Sequence, residues 1–245
     1  MIKDKEQLIE FLLGFLKQQM VIQKKKGALV HLDGTLMSLV NLLLVKRTGL
    51  KYRTIAPITN QNKYASGHLA LLAKELGFSL EFKDLAKDFE MLALHQLRDK
   101  STNTQILFAK RFCDLALNLE ADQEELAILS NLCYSQWIVG FPHQNYQAPD
   151  QIHLLFRLFY SEVKDLAYHL GLNERIIERE PSFYLWNGQR DLDLLGFSYQ
   201  QLESFLRSPG EIKNEEDLLI GRRLIADNRN KFTGPLIQRP SNLIG

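Results

Sequence analysis

Cysteine is nearly missing from this chain of 245 residues: there are two, Cys113 and Cys133. That is too few for a disulfide framework, and they have no paired metal-ligand spacing, so both read as buried thiols in a reducing compartment. The six histidines, His31, His68, His95, His143, His153 and His169, include no pair at the spacing that puts two imidazoles on one helix face, so a site built from His and Cys is not expected. Charge of one sign is lacking too. Thirty Lys and Arg stand against 29 Asp and Glu, a net charge of +1, which leaves no electrostatic footprint of a nucleic-acid binder or a membrane-surface protein. No apolar run is long enough to span a bilayer; "LIEFLLGFL" is short and begins and ends among charges. With no secretory pattern at the amino end, a cytoplasmic location is expected. Repeats and low-complexity segments are also missing. What remains is 45% apolar, enough to bury a core as one domain.

Between Asp4 and Gln23, Leu8, Leu12, Phe15, Leu16 and Met20 recur with a helical period, and Gly27 stops the pattern after Lys24, Lys25 and Lys26. Residues 1–26 are thus predicted to form an amphipathic helix, whose lysines either greet a phosphate or complement a helix end. "GALVHL" is too short for a helix and apolar enough for a buried strand; "TLMSLVNLLLVKRTG" behind it reads as a helix ending at Gly49. "KYRTIAPIT" and "FSLEF" read as the next strands, with the helix "ASGHLALLAKELG" between them. "LAKDFEMLALHQLRD", "TQILFAKRFCDLALNL" and "DQEELAILSNLCYS" carry helical periodicity, and "QWIVG" is expected to be the fourth strand. "SEVKDLAYHLG" and "YQQLESFLR" read as helices flanking the loop "REPSFYLWNGQRD", and residues 208–245 as a last helix and tail. Alternating strands and helices imply an α/β domain, a parallel sheet with helices on both faces, whose ligands sit beyond the carboxyl ends of the strands. "HLDGTLMS", His31 to Ser38, falls at that place.

The stretch from Ile176 to Leu206, "IIEREPSFYLWNGQRDLDLLGFSYQQLESFL", resembles the end of the synthetase domain of NAD synthases, Pro-Ser-Ala-x-Leu-x-x-x-Gln-Thr-Asp-Glu-x-Glu-Leu-Gly-x-Ser-Tyr. Pro181, Ser182, Leu185, Gln189, Asp191, Leu195, Gly196, Ser198 and Tyr199 fall on it in register. Upstream, "LFYSEVKDLAYHLGL" is similar to the family's Leu-Tyr-Lys-Thr-Gln-Val-Arg-x-Leu-Ala-x-x-Leu-Gly. The resemblance implies the adenine-nucleotide α-hydrolase-like fold. It also implies an ATP- and magnesium-dependent reaction: nicotinate adenine dinucleotide is adenylated on its carboxylate, pyrophosphate leaves, and ammonia attacks to form the amide of NAD.

Against that pattern the chemical positions have changed. The family loop Ser-Gly-Gly-x-Asp-Ser becomes Asp33, Gly34, Thr35, Leu36, Met37 and Ser38. Asp33 adds a charge that repels phosphate, Thr35 is β-branched where glycine lets the backbone approach, and Met37 offers magnesium a thioether in place of carboxylate oxygen. "QWIVGFPHQN" is placed on Val-x-Gly-Thr-x-Asn-x-x-Glu, so Gly140 matches and Tyr146 replaces the glutamate; the acidic stretch that should follow leaves Asp150 alone. The family lysine falls on Tyr160, two family glutamates on Leu192 and Leu194, and the closing His-Lys-Arg-x-x-Pro on Asn230, Lys231, Phe232 and Pro235.

The expectation from these losses is a family relative that has given up amidation and acts as a nucleotide-binding, regulatory or partner subunit, with no metal site of its own. The alternative is an active amide ligase in which Asp33 or Asp150 has taken over as metal ligand. Gly140, Gln189, Asp191 and Lys231 are candidate nucleotide or substrate contacts, and Asp191, just before a helix, is equally suited to turn and capping chemistry. Phe183, Tyr184 and Trp186 stack on a base or close over the core; Arg222, Arg223 and Arg229 meet phosphate or solvent. Family members are typically homodimers, and the apolar stretch "LAILSNLCYSQW" asks for cover, so a homodimer, or a pairing with an active relative, is expected.

Overall fold

The computed structural model describes residues 4–96, 102–139, 151–182, 187–207, 215 and 217–222. Four parallel strands form its sheet in the order β3-β2-β1-β4: β1 (Gly27–His31), β2 (Tyr52–Ile58), β3 (Glu81–Asp84) and β4 (Leu126–Ile128). β1 is central, with Ala28 to His31 opposite Tyr52 to Ile55 on one side and Gly27 to Leu29 opposite Leu126 to Ile128 on the other. Its residues alternate between two cores, as a pleated strand covered on both faces requires. Ala28, Val30 and Leu32 enter the large core, and Leu29 joins Ile55, Leu117, Ala121, Leu126 and Ile128 in a smaller one. Gly27 is small for a reason: a Cβ there would lie 2.5 Å from the Lys51 carbonyl oxygen.

On the large-core face lies α2 (Leu36–Thr48), buried on almost all sides, with α1 (Lys5–Ile22) and α7 (Tyr160–His169) packed on it. The expected amphipathic helix is α1: Asp4 caps it, its carboxylate accepting the Gln7 N–H at 2.9 Å, and Ile9, Leu12, Leu13, Leu16 and Met20 are buried. Lys24 and Lys26 are exposed to solvent, and two of the lysines also form ion pairs. Lys25 pairs with Asp122 at 2.9 Å and Lys26 with Glu125, which ties the end of α1 to the end of α5 (Thr102–Gln123). The other face carries α5 with α4 (Ala86–Gln96) against it; α3 (Ser66–Glu75) lies beside β2. The remaining helices, α6 (Tyr134–Ile138), α8 (Glu174–Ile177), α9 (Asp191–Leu195) and α10 (Tyr199–Arg207), gather around α7 and the large core.

Three expectations about elements are corrected. "QWIVG" is not a strand: Gln136, Trp137 and Ile138 belong to α6, and the Gln136 side chain accepts the Cys133 N–H at 3.3 Å at its start. The fourth strand lies instead inside "DQEELAILSNLCYS", read as helical. There α5 ends at Gln123, Glu125 takes a positive φ of 58°, and Leu126–Ile128 enters the sheet buried on both faces. A short run buried on both sides has no period to separate strand from helix. The third strand is displaced from "FSLEF" to Glu81–Asp84, because pairing with β2 sets the register while Phe78 and Leu80 pack against the core from the lead-in. The C-terminal helix and tail expected over 208–245 lie outside the described residues, apart from 215 and 217–222.

Candidate functional site

At the carboxyl end of β1 the chain leaves the sheet at Leu32, turns through Asp33 and Gly34, and enters α2. Gly34 has φ 86°, a left-handed conformation that glycine adopts without strain. Asp33 and Thr35 close this turn on itself. The Asp33 Oδ1 accepts the Thr35 N–H at 3.0 Å and the Thr35 hydroxyl at 2.7 Å, and its Oδ2 accepts the Asn131 amide at 3.1 Å. Thr35 is the N-cap of α2, its Oγ1 accepting the Ser38 N–H at 3.3 Å, while the Ser38 hydroxyl donates to the Thr35 carbonyl at 2.8 Å. A loop that cradles phosphate must leave such donors facing outward; here an amide and a hydroxyl are already taken by a carboxylate of the same turn.

Asn131 stands just beyond β4 and latches the turn to that strand. Its Nδ2 donates to the His31 carbonyl at 2.8 Å as well as to Asp33, and its Oδ1 accepts from the fully buried Asn41 of α2 at 3.1 Å. Sequence reading missed Asn131 because it put the end of the fourth strand at Gly140. The structure puts that end at Ile128, followed by Leu129, Ser130 and Asn131, and Gly140 lies outside the described residues. From Leu126 to Val139 the chain has no Asp or Glu, so the carboxylate expected after this strand is missing in the new register as well.

His31, Asp33 and Leu32 from β1 and its turn, with Lys110 and Cys113 from α5 and Asn62 from the loop after β2, line a cavity of about 60 Å³. Burial pushes the His31 imidazole below its ordinary pKa despite Asp33 and Asp114 nearby; its Nδ1 lies 3.7 Å from an Asp114 oxygen. Burial alone would raise the Asp33 carboxyl, but His31, Lys110 and the Thr35 bonds outweigh it and hold the group below the usual carboxylate range, as an anion. Burial drives the Cys113 and Cys133 thiols up to about 12, which leaves both without thiolate character at neutral pH.

On the other side of the turn, the space in front of the start of α2 is bounded by Thr35, Gln136, Tyr160, Arg179 and Pro181 and measures about 20 Å³. That is room for about one or two waters. Met37 borders this space but is 1% exposed and packs into the large core. Tyr160, at the family lysine's position, stacks on Tyr199 with centroids 4.8 Å apart. The described residues of this turn do not fit magnesium: Asp33 is engaged by three donors, Met37 is buried, and among the described residues no three His, Cys, Asp or Glu side chains gather as a metal-holding group.

Gln189 and Asp191 do come together, as part of the loop's own framework. Gln189 donates to Asp191 at 2.7 Å and accepts the Ser182 hydroxyl at 2.9 Å; the Tyr199 hydroxyl donates to Asp191 at 2.9 Å. Asp191, 1% exposed, does not cap α9, whose N-cap is Arg190; its carboxylate points inward to Tyr199. A second buried carboxylate, Glu203 of α10, accepts the Ser135 hydroxyl at 2.8 Å and the Ser161 N–H at 3.2 Å, joining α6, α7 and α10. Of the other named residues, Arg222 is described and exposed, while Phe183, Tyr184, Trp186, Arg223, Arg229 and Lys231 lie outside the described residues, as do Tyr146 and Asp150.

Comparison with known proteins agrees with this architecture. Residues 8–233 match the family model for NAD synthase. The chain is 28% identical to an NH(3)-dependent NAD(+) synthetase from Methanococcus aeolicus, over 87% of this chain and 86% of that one. It is also 28% identical to one from Alkaliphilus oremlandii, over 99% and 98%. Among solved structures, NMN synthetase from Francisella tularensis superposes with a TM-score of 0.83 at 20% identity, covering 98% of this chain and 100% of that one. The NH3-dependent NAD synthetase from Campylobacter jejuni superposes with a TM-score of 0.72 at 17% identity, covering 97% and 99%.

Proposed function

The chain belongs to the NAD synthase family, and from that premise we propose that it is a relative that no longer performs ATP-dependent amidation and serves as a binding or partner subunit. The observation that carries this reading is the closed turn between β1 and α2. Asp33 holds the amide and hydroxyl of Thr35, and the space ahead of α2 is about 20 Å³. A carboxylate about 4 Å from one phosphate charge costs about 4 kcal/mol at an effective dielectric near 20. Screening lowers that figure, but opening the turn to admit phosphate would also break the Thr35 bonds to Asp33. The turn at the start of α2, where the leaving pyrophosphate needs donors and a cation, has a bound acid and a buried thioether, and the one cation at its border among the described residues, Arg179, is bonded to His68. With Tyr160 in a stacked pair at the family lysine's position, no ammonium stands at that position either.

The partner is proposed to be a second copy of this chain or an active relative. The stretch "LAILSNLCYSQW" does not support this, because Leu126 to Ser130, Leu132 and Cys133 are buried within the chain. Exposed apolar side chains on α4 and α5 do: Met91 at 63%, Leu94 at 70%, Leu115 at 45% and Leu119 at 56%.

The deciding experiment is ATP–pyrophosphate exchange with nicotinate adenine dinucleotide and magnesium, beside an active NAD synthetase, together with calorimetric titration of ATP and magnesium. No exchange, and no binding tighter than about millimolar, is expected. Micromolar binding with pyrophosphate release would overturn the proposal and establish an active ligase with replaced catalytic residues.

A further inference from the structure

We propose that α1 pairs with α1 of a second copy of this chain, antiparallel, about a twofold axis at Gly14. This surface lies across the sheet from α4 and α5, and nothing in the argument depends on whether amidation is lost. Beneath α1 lie Ile9, Leu12, Leu13, Leu16 and Met20, yet its outward face is not polar: Phe11, Val21 and Ile22 are 66%, 78% and 62% exposed. Gln7, Phe11, Gly14, Gln18 and Val21 stand four and three residues apart in turn, the spacing that lines a helix against a partner helix. Leu8 and Phe15, partly buried, extend the apolar edge of that stripe.

Gly14 is the residue that the chain's own packing does not explain. Glycine is a poor helix former, and this one sits in the middle of an 18-residue helix. A Cβ there would meet nothing within 4 Å, so the fold leaves room for a side chain. A second helix crossing at this point uses the gap, because two backbones approach most closely where no Cβ stands between them. Gly14 is also the midpoint of the stripe, so the axis lays Gln7 beside the partner's Val21 and Phe11 beside the partner's Gln18.

Charge names the occupant and the direction. Glu10 and Lys17 stand exposed on one flank of the stripe, and among the described residues neither has an ion pair within the chain. They are two turns apart, about 10 Å along the helix, too far to meet each other. In an antiparallel copy this flank faces itself, so Glu10 meets the partner's Lys17 and Lys17 meets the partner's Glu10, the axis making both pairs at once. A parallel copy would set them beside the partner's Phe15 and Ile22, with neither charge paired. Opposed helix dipoles favour the same direction. One helix pair covers less than a standard interface, so a dissociation constant of order 100 μM is expected.

Sedimentation equilibrium on the full chain up to about 1 mM, repeated in Leu94→Glu to remove association through α4, tests this. E10K and K17E should each weaken association at least fivefold, and an equimolar mixture of the two, in which every substituted residue meets an opposite charge, should regain the parent's strength. G14L should raise the melting temperature of the dilute protein and abolish the pairing. Cross-linking gives a readout that does not need Leu94→Glu to fold: Cys113 and Cys133 are buried, so oxidation of G14C should give a covalent dimer at least tenfold faster than L71C, at a site on α3 that is 67% exposed. Association unaffected by E10K and K17E, no recovery in the mixture, or equal cross-linking of G14C and L71C would overturn the inference. So would binding to vesicles of anionic lipid that K17E loses and E10K strengthens, which would make a membrane surface the occupant of this face.

Discussion

Asp33→Asn changes one atom of the site and tests whether the closed turn is held by charge. The amide keeps an oxygen for the two Thr35 donors, but its NH2 then faces the Asn131 NH2, which now donates to Oδ2 at 3.1 Å. Flipping the amide is worse, since it sets NH2 against both Thr35 donors. At least one charge-assisted bond is lost, about 1.5–3 kcal/mol, and the bonds to Thr35 weaken with the charge, so a loss of about 2–3 kcal/mol at neutral pH is expected. In a chain of this length that lowers the melting temperature by about 5–10 °C. The pH dependence gives a second readout. Because the Asp33 carboxyl is held below its unfolded value, its contribution is present above the unfolded pKa of about 3.9 and is lost as pH falls through the lower folded pKa. The gap between the two proteins should therefore narrow as pH is lowered from 7 towards 3. A melting temperature within 2 °C of the parent, or a gap that does not change with pH, would refute the argument that a buried anion closes the turn.

Three further outcomes are expected. Met37→Asp, which by the family pattern should restore a metal ligand, instead puts a carboxylate into the large core; removing the buried Met side chain alone costs about 2–5 kcal/mol and desolvating the charge adds to that. Urea denaturation should show a severely destabilised protein, and a stable variant that binds magnesium would count against the burial described for this position. Tyr199→Phe removes the hydroxyl that Asp191 accepts at 2.9 Å, at a cost of about 1–3 kcal/mol; an unchanged unfolding midpoint would show that the loop does not depend on this bond. Light scattering at tens of micromolar should give the mass of a dimer, which Leu94→Glu on α4 shifts towards monomer; a monomer before substitution would remove α4 and α5 as a self-association face.

β1, α2, β2 and α7 were legible because their signals are local: alternation or dense apolar burial bounded by Gly27, Gly49 and Gly171. β4 was not. Leu126–Ile128 is a strand only because β1 lies beside it and α5 covers it, and the same three residues continue a helical pattern in the sequence. That one error carried the end of the fourth strand from Ile128 to Gly140 and hid Asn131, the residue that latches the turn. His31 and Lys110 were unreadable for another reason: they are 79 positions apart in the chain and meet only across the cavity. The departures of Asp33, Thr35 and Met37 from the family pattern were legible, yet nothing in their identities shows that Asp33 and Thr35 bond to each other.

Matching a family pattern need not mean doing the family's chemistry, and Gln189, Asp191 and Tyr199 show why. All three stand in register with the synthetase motif, and in the fold they form a chain of bonds from Ser182 through Gln189 and Asp191 to Tyr199. A buried carboxylate with no partner is costly, so once Asp191 is 1% exposed, Gln189 and Tyr199 are needed for folding whatever the loop binds. The same constraint does not act on Met37 or Tyr160. Met37 packs in the large core and Tyr160 stacks on Tyr199, places where an apolar or stacked side chain stabilises the core better than a charge without a partner. The positions of this loop that keep the family pattern are therefore ones that hold the loop together.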